Sequence, residues 1–306
     1  MSSTPNIFAI QEGVLEGNFL LLAKAISLIE NASNGVDDLL QSLHPEKVPI
    51  IGITGPPGAG KSTLINSLIE AWVSTDKKIA ILSVDPSSPF HKGALLGDRI
   101  RMKDWYLHPK VFIRSLASRG HLGGLNHAIV ELTTLLQSVG FDYIIVETVG
   151  VGQSEVEIAS LADTTVVVLV PEAGDSVQMM KSGLMEIADI FVLNKSDRPE
   201  SETFANHIRD MVAENSKGEQ DPQIVKTVAT QGSGIDQFIL AIHEHGGKNK
   251  QLDRVLQLRM TKLKQIMMRY QWMSMPLDQI QQDLKASLSD PNFNLFAYAK
   301  SILSKG

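Results

Sequence analysis

The sequence contains no cysteine. That excludes disulfides, thiolate metal sites and a cysteine nucleophile. Basic residues are in the minority: 28 Lys and Arg stand against 34 Asp and Glu, for a net charge of −6. A general nucleic-acid binder, or a protein that coats an anionic membrane, normally carries a basic face; neither class is expected. No apolar run reaches the roughly 18 residues of a membrane-spanning helix. The stretch Met1 to Phe8 has neither a basic start nor a long apolar segment. No signal peptide is therefore expected, and a cytoplasmic protein is. Among the 8 histidines, His243-Glu-His245 is a lone pair at a helix end.

What is present is an alternation of short β-branched runs with amphipathic stretches. Ile50–Thr54, Lys78–Val84 (ending on Asp85), Val111–Ser115, Tyr143–Val146, Thr164–Val170, Ile190–Leu193 and Ile224–Val228 read as strands. The intervening segments 61–73, 125–138, 204–214 and 235–243 carry helical periodicity, and 97–106 reads as a further helix. Alternation of this kind implies an α/β fold, a doubly wound and mostly parallel sheet covered by helices on both faces. Helical extensions flank it. Residues 7–30 read as one helix, with Leu20, Leu21, Leu22, Ala25, Ile26 and Ile29 at 3.6-type spacing, and Val36–Leu43 as a shorter one. Residues 250–271, 277–287 and 293–303 read as C-terminal helices with Leu and Met stripes. The expected division is 1–46 as an N-terminal helical extension, 47–246 as the nucleotide domain and 247–306 as a C-terminal dimerisation extension.

The chemistry concentrates at the carboxyl ends of the strands. Gly55, Pro56, Pro57, Gly58, Ala59, Gly60, Lys61, Ser62 and Thr63 follow a strand and open a helix, as a GxxxxGK[ST] phosphate loop requires. Glycine lets backbone N–H groups approach anionic oxygens, and the helix adds the positive end of its dipole. Lys61 is expected at the β- and γ-phosphates and Ser62 on Mg²⁺. Asn194-Lys195-Ser196-Asp197, directly after a strand, fits the guanine-reading NKxD pattern. The Asp197 carboxylate can accept from guanine N1–H and the 2-amino group, a donor pair that adenine lacks. Lys195 can lie over the base plane. Ala229, Thr230 and Gln231 stand where a GTPase usually has a Ser-Ala-x turn contacting guanine O6.

Glu147-Thr148-Val149-Gly150 occupies the place of DxxG, with Glu147 expected to support Mg²⁺ and Gly150 to sense the γ-phosphate. Val151 stands where several signalling GTPases carry a water-orienting Gln, so slow intrinsic GTP hydrolysis to GDP and phosphate is expected. Asp85 and Asp98 are the further candidates for a carboxylate that supports Mg²⁺ or orients the attacking water; either can equally be a cap or a surface ion-pair partner. The candidate catalytic set is thus Lys61, Asp85, Asp98 and Glu147, and the candidate metal set Ser62, Asp85, Asp98 and Glu147.

Several uncommon runs stand in a set order: Thr54 to Thr63, Val84-Asp-Pro-Ser-Ser-Pro-Phe90, Leu96-Gly-Asp-Arg99, Val146 to Glu155, Gly183 to Asp189, and Asn194 to Asp197. Over about residues 20–245 the sequence resembles the MeaB/ArgK family, the G-protein chaperones of adenosylcobalamin-dependent methylmalonyl-CoA mutase. The resemblance implies a GTPase, usually a homodimer, and a partner mutase whose cofactor loading and protection are gated by GTP. It leaves contact with a cobalamin adenosyltransferase open. It also implies that Glu172 to Lys181 form a third switch loop. The sequence departs from the family pattern at Ala229-Thr230 and in a short C-terminal section. Two alternatives stand beside this reading: a nickel-insertion metallochaperone GTPase, which would need more metal ligands than His243 and His245, and a transport-linked ATPase or kinase, which the guanine pattern disfavours.

Overall fold

The computed structural model describes residues 7–85, 102–117, 128–148, 154–171, 184–215, 221–247, 252–273, 275, 277–287, 298 and 300–302. Seven strands form one sheet, β1 (Ile50–Thr54), β2 (Ile79–Asp85), β3 (Val111–Ala117), β4 (Tyr143–Thr148), β5 (Thr164–Leu169), β6 (Ile190–Leu193) and β7 (Gln223–Lys226). Their spatial order is β3-β2-β4-β1-β5-β6-β7, and every pairing is parallel. β1, β4 and β5 are buried along their whole length, which is why they read as continuous apolar runs. After β4 the chain crosses β1 to reach β5, so the sheet reverses its direction of growth around β1. Ligands bind outside the carboxyl ends of strands at such a reversal.

The period-2 alternation of the strands sends apolar side chains to both faces of the sheet. One face carries Ile51, Ile53, Ile81, Ile145, Val166, Val168 and Val192. These pack on Leu64, Leu68 and Trp72 of α4 (Lys61–Ser74) and Phe238 and Ile242 of the helix Ile235–Gly247. The opposite face carries Val167, Leu169, Phe191 and Leu193 against Phe204, Ala205 and Ile208 of the helix Ser201–Asn215.

The N-terminal stretch expected as one helix is two, α1 (Ile7–Leu15) and α2 (Phe19–Glu30). Asn18 causes the break: its side-chain oxygen accepts from the N–H groups of Leu20 and Leu21 at 3.0 and 3.2 Å and so starts a new helix. α3 follows at Val36–Gln41. Phe19 meets Phe112 edge-on at a ring distance of 5.5 Å and stacks on Phe141 at 5.9 Å. Arg114 of β3 donates to Glu30 at 2.8 Å and to Ser27 at 3.1 Å. These contacts tie α2 to the sheet.

Among the described residues the further α-helices are α5 (Ile129–Gln137), α6 (Ser154–Leu161), α7 (Leu184–Ile187), α8 (Ser201–Asn215), α9 (Ile235–Gly247), α10 (Leu252–Met273) and α11 (Leu277–Ser287). Within the span expected as helix 97–106, the described residues form only a 3-10 turn, Lys103–Trp105. Of 293–303, residues 298 and 300–302 are described, and they are helical. The chain divides into two compact units, Met1–Arg259 and Met260–Gly306.

Candidate nucleotide site

The loop between β1 and α4 is shaped by what surrounds it. Gly55 has φ of 136°, and a Cβ there would stand 2.2 Å from the Val168 carbonyl oxygen on the neighbouring strand. Gly60, the N-cap of α4, has φ of 88°, and a Cβ would meet the Asn194 side-chain nitrogen at 2.4 Å. Only glycine fits either position. Gly60 contributes no side chain to cap the helix, which leaves the start of α4 suited to an external anion.

Lys61 is buried, and its ammonium donates to the carbonyl oxygens of Gly55 at 2.6 Å and Pro56 at 3.1 Å. The loop thus curls around its own lysine. Ser62 Oγ donates to Glu147 Oε1 at 2.9 Å, and Ser83 Oγ to Glu147 Oε2 at 3.4 Å. Glu147 is 4% exposed and sits beside both Ile53 and Ser83 in strand register. One buried carboxylate therefore faces the phosphate-loop hydroxyl, an arrangement of oxygen donors that suits a hard divalent cation. Thr148 donates to Thr54 at 2.9 Å, tying the end of β4 to the end of β1.

Asn194 connects the loop to the segment that follows β7. Its side-chain N–H donates to the Ala59 carbonyl at 2.9 Å. Its side-chain oxygen accepts from the Ala229 N–H at 3.1 Å and the Thr227 hydroxyl at 3.2 Å. Lys195 adopts the left-handed region at φ of 57° and donates to the Gly58 carbonyl at 3.0 Å. Asp197 is exposed.

Ala229–Gln231 is one turn of 3-10 helix. The Ala229 N–H goes to Asn194, Gln231 N–H to the Val228 carbonyl at 2.9 Å, and Gly232 N–H to the Ala229 carbonyl at 3.3 Å. Among the described residues the Thr230 N–H alone of this turn has no acceptor. A groove of about 710 Å³ lies between α4 and this turn, with Thr63, Ser67, Thr230 and Asp236 in its walls.

The fold thus brings the loop residues Gly55 to Thr63, Glu147, Asn194, Lys195 and Ala229 to Gln231 to the carboxyl edge of the sheet. Asp85 ends β2 on that edge, but its side chain lies outside the described residues, as do Asp98, Gly150, Val151 and the segment 172–183. Sequence reasoning missed Ser83, Thr54, Thr148, Thr227 and Ser67. Ser83 carried a signal: it shares a β2 face with Ile79 and Ile81 but is polar at the strand's carboxyl end. Ser67 carried none.

His243 and His245 sit at the other end of the sheet. His243 Nε2 lies 3.3 Å from the Tyr143 hydroxyl. His245 lies 3.2 Å from Asp189 and 2.9 Å from the Thr164 hydroxyl. Both imidazoles are engaged by protein partners, and the described residues hold no group of three or more metal-ligating side chains.

The family described as methylmalonyl Co-A mutase-associated GTPase MeaB matches residues 22–284. This chain belongs to the MeaB family. Several of its relatives carry GTPase names. A Pyrococcus horikoshii protein is 43% identical over 260 residues, covering 83% of this chain and 82% of the relative. GTPase ArgK of Escherichia coli is 36% identical over 238 residues, covering 74% and 72%. The methylmalonic aciduria type A homolog of Caenorhabditis elegans is 35% identical over 210 residues, covering 63% and 53%. A solved structure titled LAO/AO transport system kinase superposes with a TM-score of 0.67 at 23% identity, over 99% of this chain and 98% of that one. At that identity the likeness speaks for the fold. The MeaB-family membership and the parallel P-loop sheet agree on a P-loop GTPase.

Proposed function

We propose that this MeaB-family GTPase is a slow, partner-controlled GTP switch. It gates cofactor loading and protection of an adenosylcobalamin-dependent mutase of the methylmalonyl-CoA type. The observation that carries the reading is the Asn194 clamp, which joins the phosphate loop at Ala59 to the turn at Ala229. Around it stand an exposed Asp197 carboxylate and an unclaimed Thr230 N–H, the acceptor and donor that a guanine edge demands.

In this reading Lys61 leaves the loop carbonyls for the β- and γ-phosphate oxygens, and Thr230 N–H meets guanine O6. The Ser62 hydroxyl and Glu147, with Asp85 or Asp98 in support, would hold Mg²⁺. An ion held there would supply positive charge to offset that of the nucleotide phosphates. The absence of a Gln at Val151 accounts for a slow intrinsic rate. Loss of the γ-phosphate then releases the switch segments, Gly150 and Glu172 to Lys181 among them. Functionally we assign residues 47–246 to the nucleotide domain, 1–46 to an N-terminal extension and 247–306 to dimerisation. α10 supports the last assignment: Leu256, Met260, Leu263, Met267 and Tyr270 are exposed at the 4-3-4-3 spacing of a self-pairing seam. The protein is taken to work in the cytoplasm; no helix among the described residues is long and apolar enough to cross a membrane.

The test has two arms. Fluorescent GDP should bind tightly, be displaced by GTP and not by ATP, and lose out to xanthosine diphosphate in Asp197→Asn. A cobalamin-dependent mutase should be retained by the immobilised protein in a nucleotide-dependent manner. ATP competition would remove the guanine assignment, and nucleotide-independent or absent retention would remove the chaperone role.

A further inference from the structure

The Thr230 N–H is useful to a base only if it points in a fixed direction. Its peptide unit is shared with the Ala229 carbonyl. A trans peptide is planar, with C=O and N–H directed oppositely, so whatever holds the Ala229 oxygen also aims the Thr230 N–H. That oxygen accepts a hydrogen bond from Ser67 Oγ at 2.7 Å. The same hydroxyl lies 3.2 Å from the Thr63 carbonyl, within its own helix. One hydroxyl has one proton, and the shorter contact is the one across to the turn. The competing acceptance from Gly232 N–H is long, at 3.3 Å. On the other side of the residue, the Ala229 N–H is taken by Asn194 at 3.1 Å.

We infer that Ser67 is a positioning residue for base selectivity. From α4, five residues beyond the Ser62 of the phosphate loop, its hydroxyl orients the Ala229–Thr230 peptide so that the Thr230 N–H meets guanine O6. The helix that begins at the phosphates thereby also sets the geometry with which the base is read. A serine two turns into a phosphate-loop helix would otherwise be a back-bonding surface residue. Here it is half-buried and reaches a turn 162 residues away. The inference rests on the guanine reading proposed above.

The experiment compares GDP with the diphosphate of 2-aminopurine riboside, which keeps the 2-amino group and lacks O6 and the N1 proton. The N1 change weakens the analogue equally in every variant, so each variant is read against wild type for the same ligand. Three variants are used: Ser67→Ala, and the isosteric pair Ser67→Thr and Ser67→Val, which differ in the hydroxyl at nearly constant volume. Losing the aimed donor should weaken GDP about fivefold in Ser67→Ala and Ser67→Val, while affinity for the analogue changes less than twofold. Ser67→Thr should restore the wild-type ratio. Equal weakening of both ligands, or a Thr variant indistinguishable from Val, would make Ser67 a packing residue and overturn the inference. An unchanged GDP-to-analogue ratio in all three variants would do the same. A wild-type protein that binds GDP and the analogue equally would instead overturn the guanine reading, and this inference with it.

Discussion

Asn194 should matter to the nucleotide-free protein as much as to ligand binding. Its side chain is 2% exposed and makes three hydrogen bonds, to Ala59, Thr227 and Ala229, whose own groups are buried. Asn194→Ala removes all three and leaves two donors and one carbonyl without their partner. At about 1 kcal/mol net for each bond, the loss is about 3 kcal/mol. That is about two decades in the ratio of folded to unfolded protein. Urea unfolding measures it, on protein freed of nucleotide, because bound GDP would add stability through mass action and mask the difference. Thr227→Val removes one of the three bonds and should cost about 1 kcal/mol. Asn194→Asp keeps the acceptor for Ala229 and Thr227 but sets a carboxylate oxygen against the Ala59 carbonyl, so its cost should be at least that of one lost bond. An Asn194→Ala protein within about 0.5 kcal/mol of wild type, the range of an ordinary surface substitution, would refute the clamp. So would a Thr227→Val cost equal to that of Asn194→Ala.

Two further outcomes follow from the ion pairs. Glu30→Gln takes the charge from a partner of Arg114 that is 8% exposed, and should destabilise the attachment of α1 and α2 by about 1–3 kcal/mol. Hydrogen exchange should show residues 19–30 opening before the sheet; exchange unchanged from wild type would contradict this. Asp142 is the second case. Burial pushes its carboxyl up, but the Lys77 side chain and the Lys78 N–H outweigh this and hold it below the ordinary carboxylate range. A depressed folded value gives stability that is present above the unfolded value, about pH 4, and is lost as pH falls through the folded one. Asp142→Asn keeps an acceptor for Lys78 but not the charge. Its deficit relative to wild type should therefore be full at neutral pH and vanish in acid; a deficit independent of pH would reject the electrostatic origin.

The alternation of apolar runs and the motifs at their ends made the parallel P-loop sheet legible from residues 48–245, because strand burial and loop chemistry are local. Periodicity read 7–30 as one helix because Leu20 to Ile29 keep a continuous stripe, and the stop at Asn18 is a side-chain cap that periodicity does not register. Of the 97–106 stretch, residues 97–101 lie outside the described residues; in the remainder Lys103–Trp105 form a single tight turn, with Met102 buried in the sheet core and Trp105 donating to Asn66 of α4 at 2.6 Å.

The same division runs through the site. Gly55 to Ser62 announce a phosphate loop by residue type and spacing alone, and Asn194 to Asp197 carry the pattern on which the proposed guanine reading rests, since each motif lies within a few residues. The tertiary structure decided which groups are already engaged. It set Glu147 against Ser62 across 85 residues, and spent the Ala229 N–H on Asn194 and the Ala229 carbonyl on Ser67. The donor left in that turn is consequently Thr230. Hydrogen bonds between segments so far apart depend on strand order and register, and these exist only once the sheet has formed.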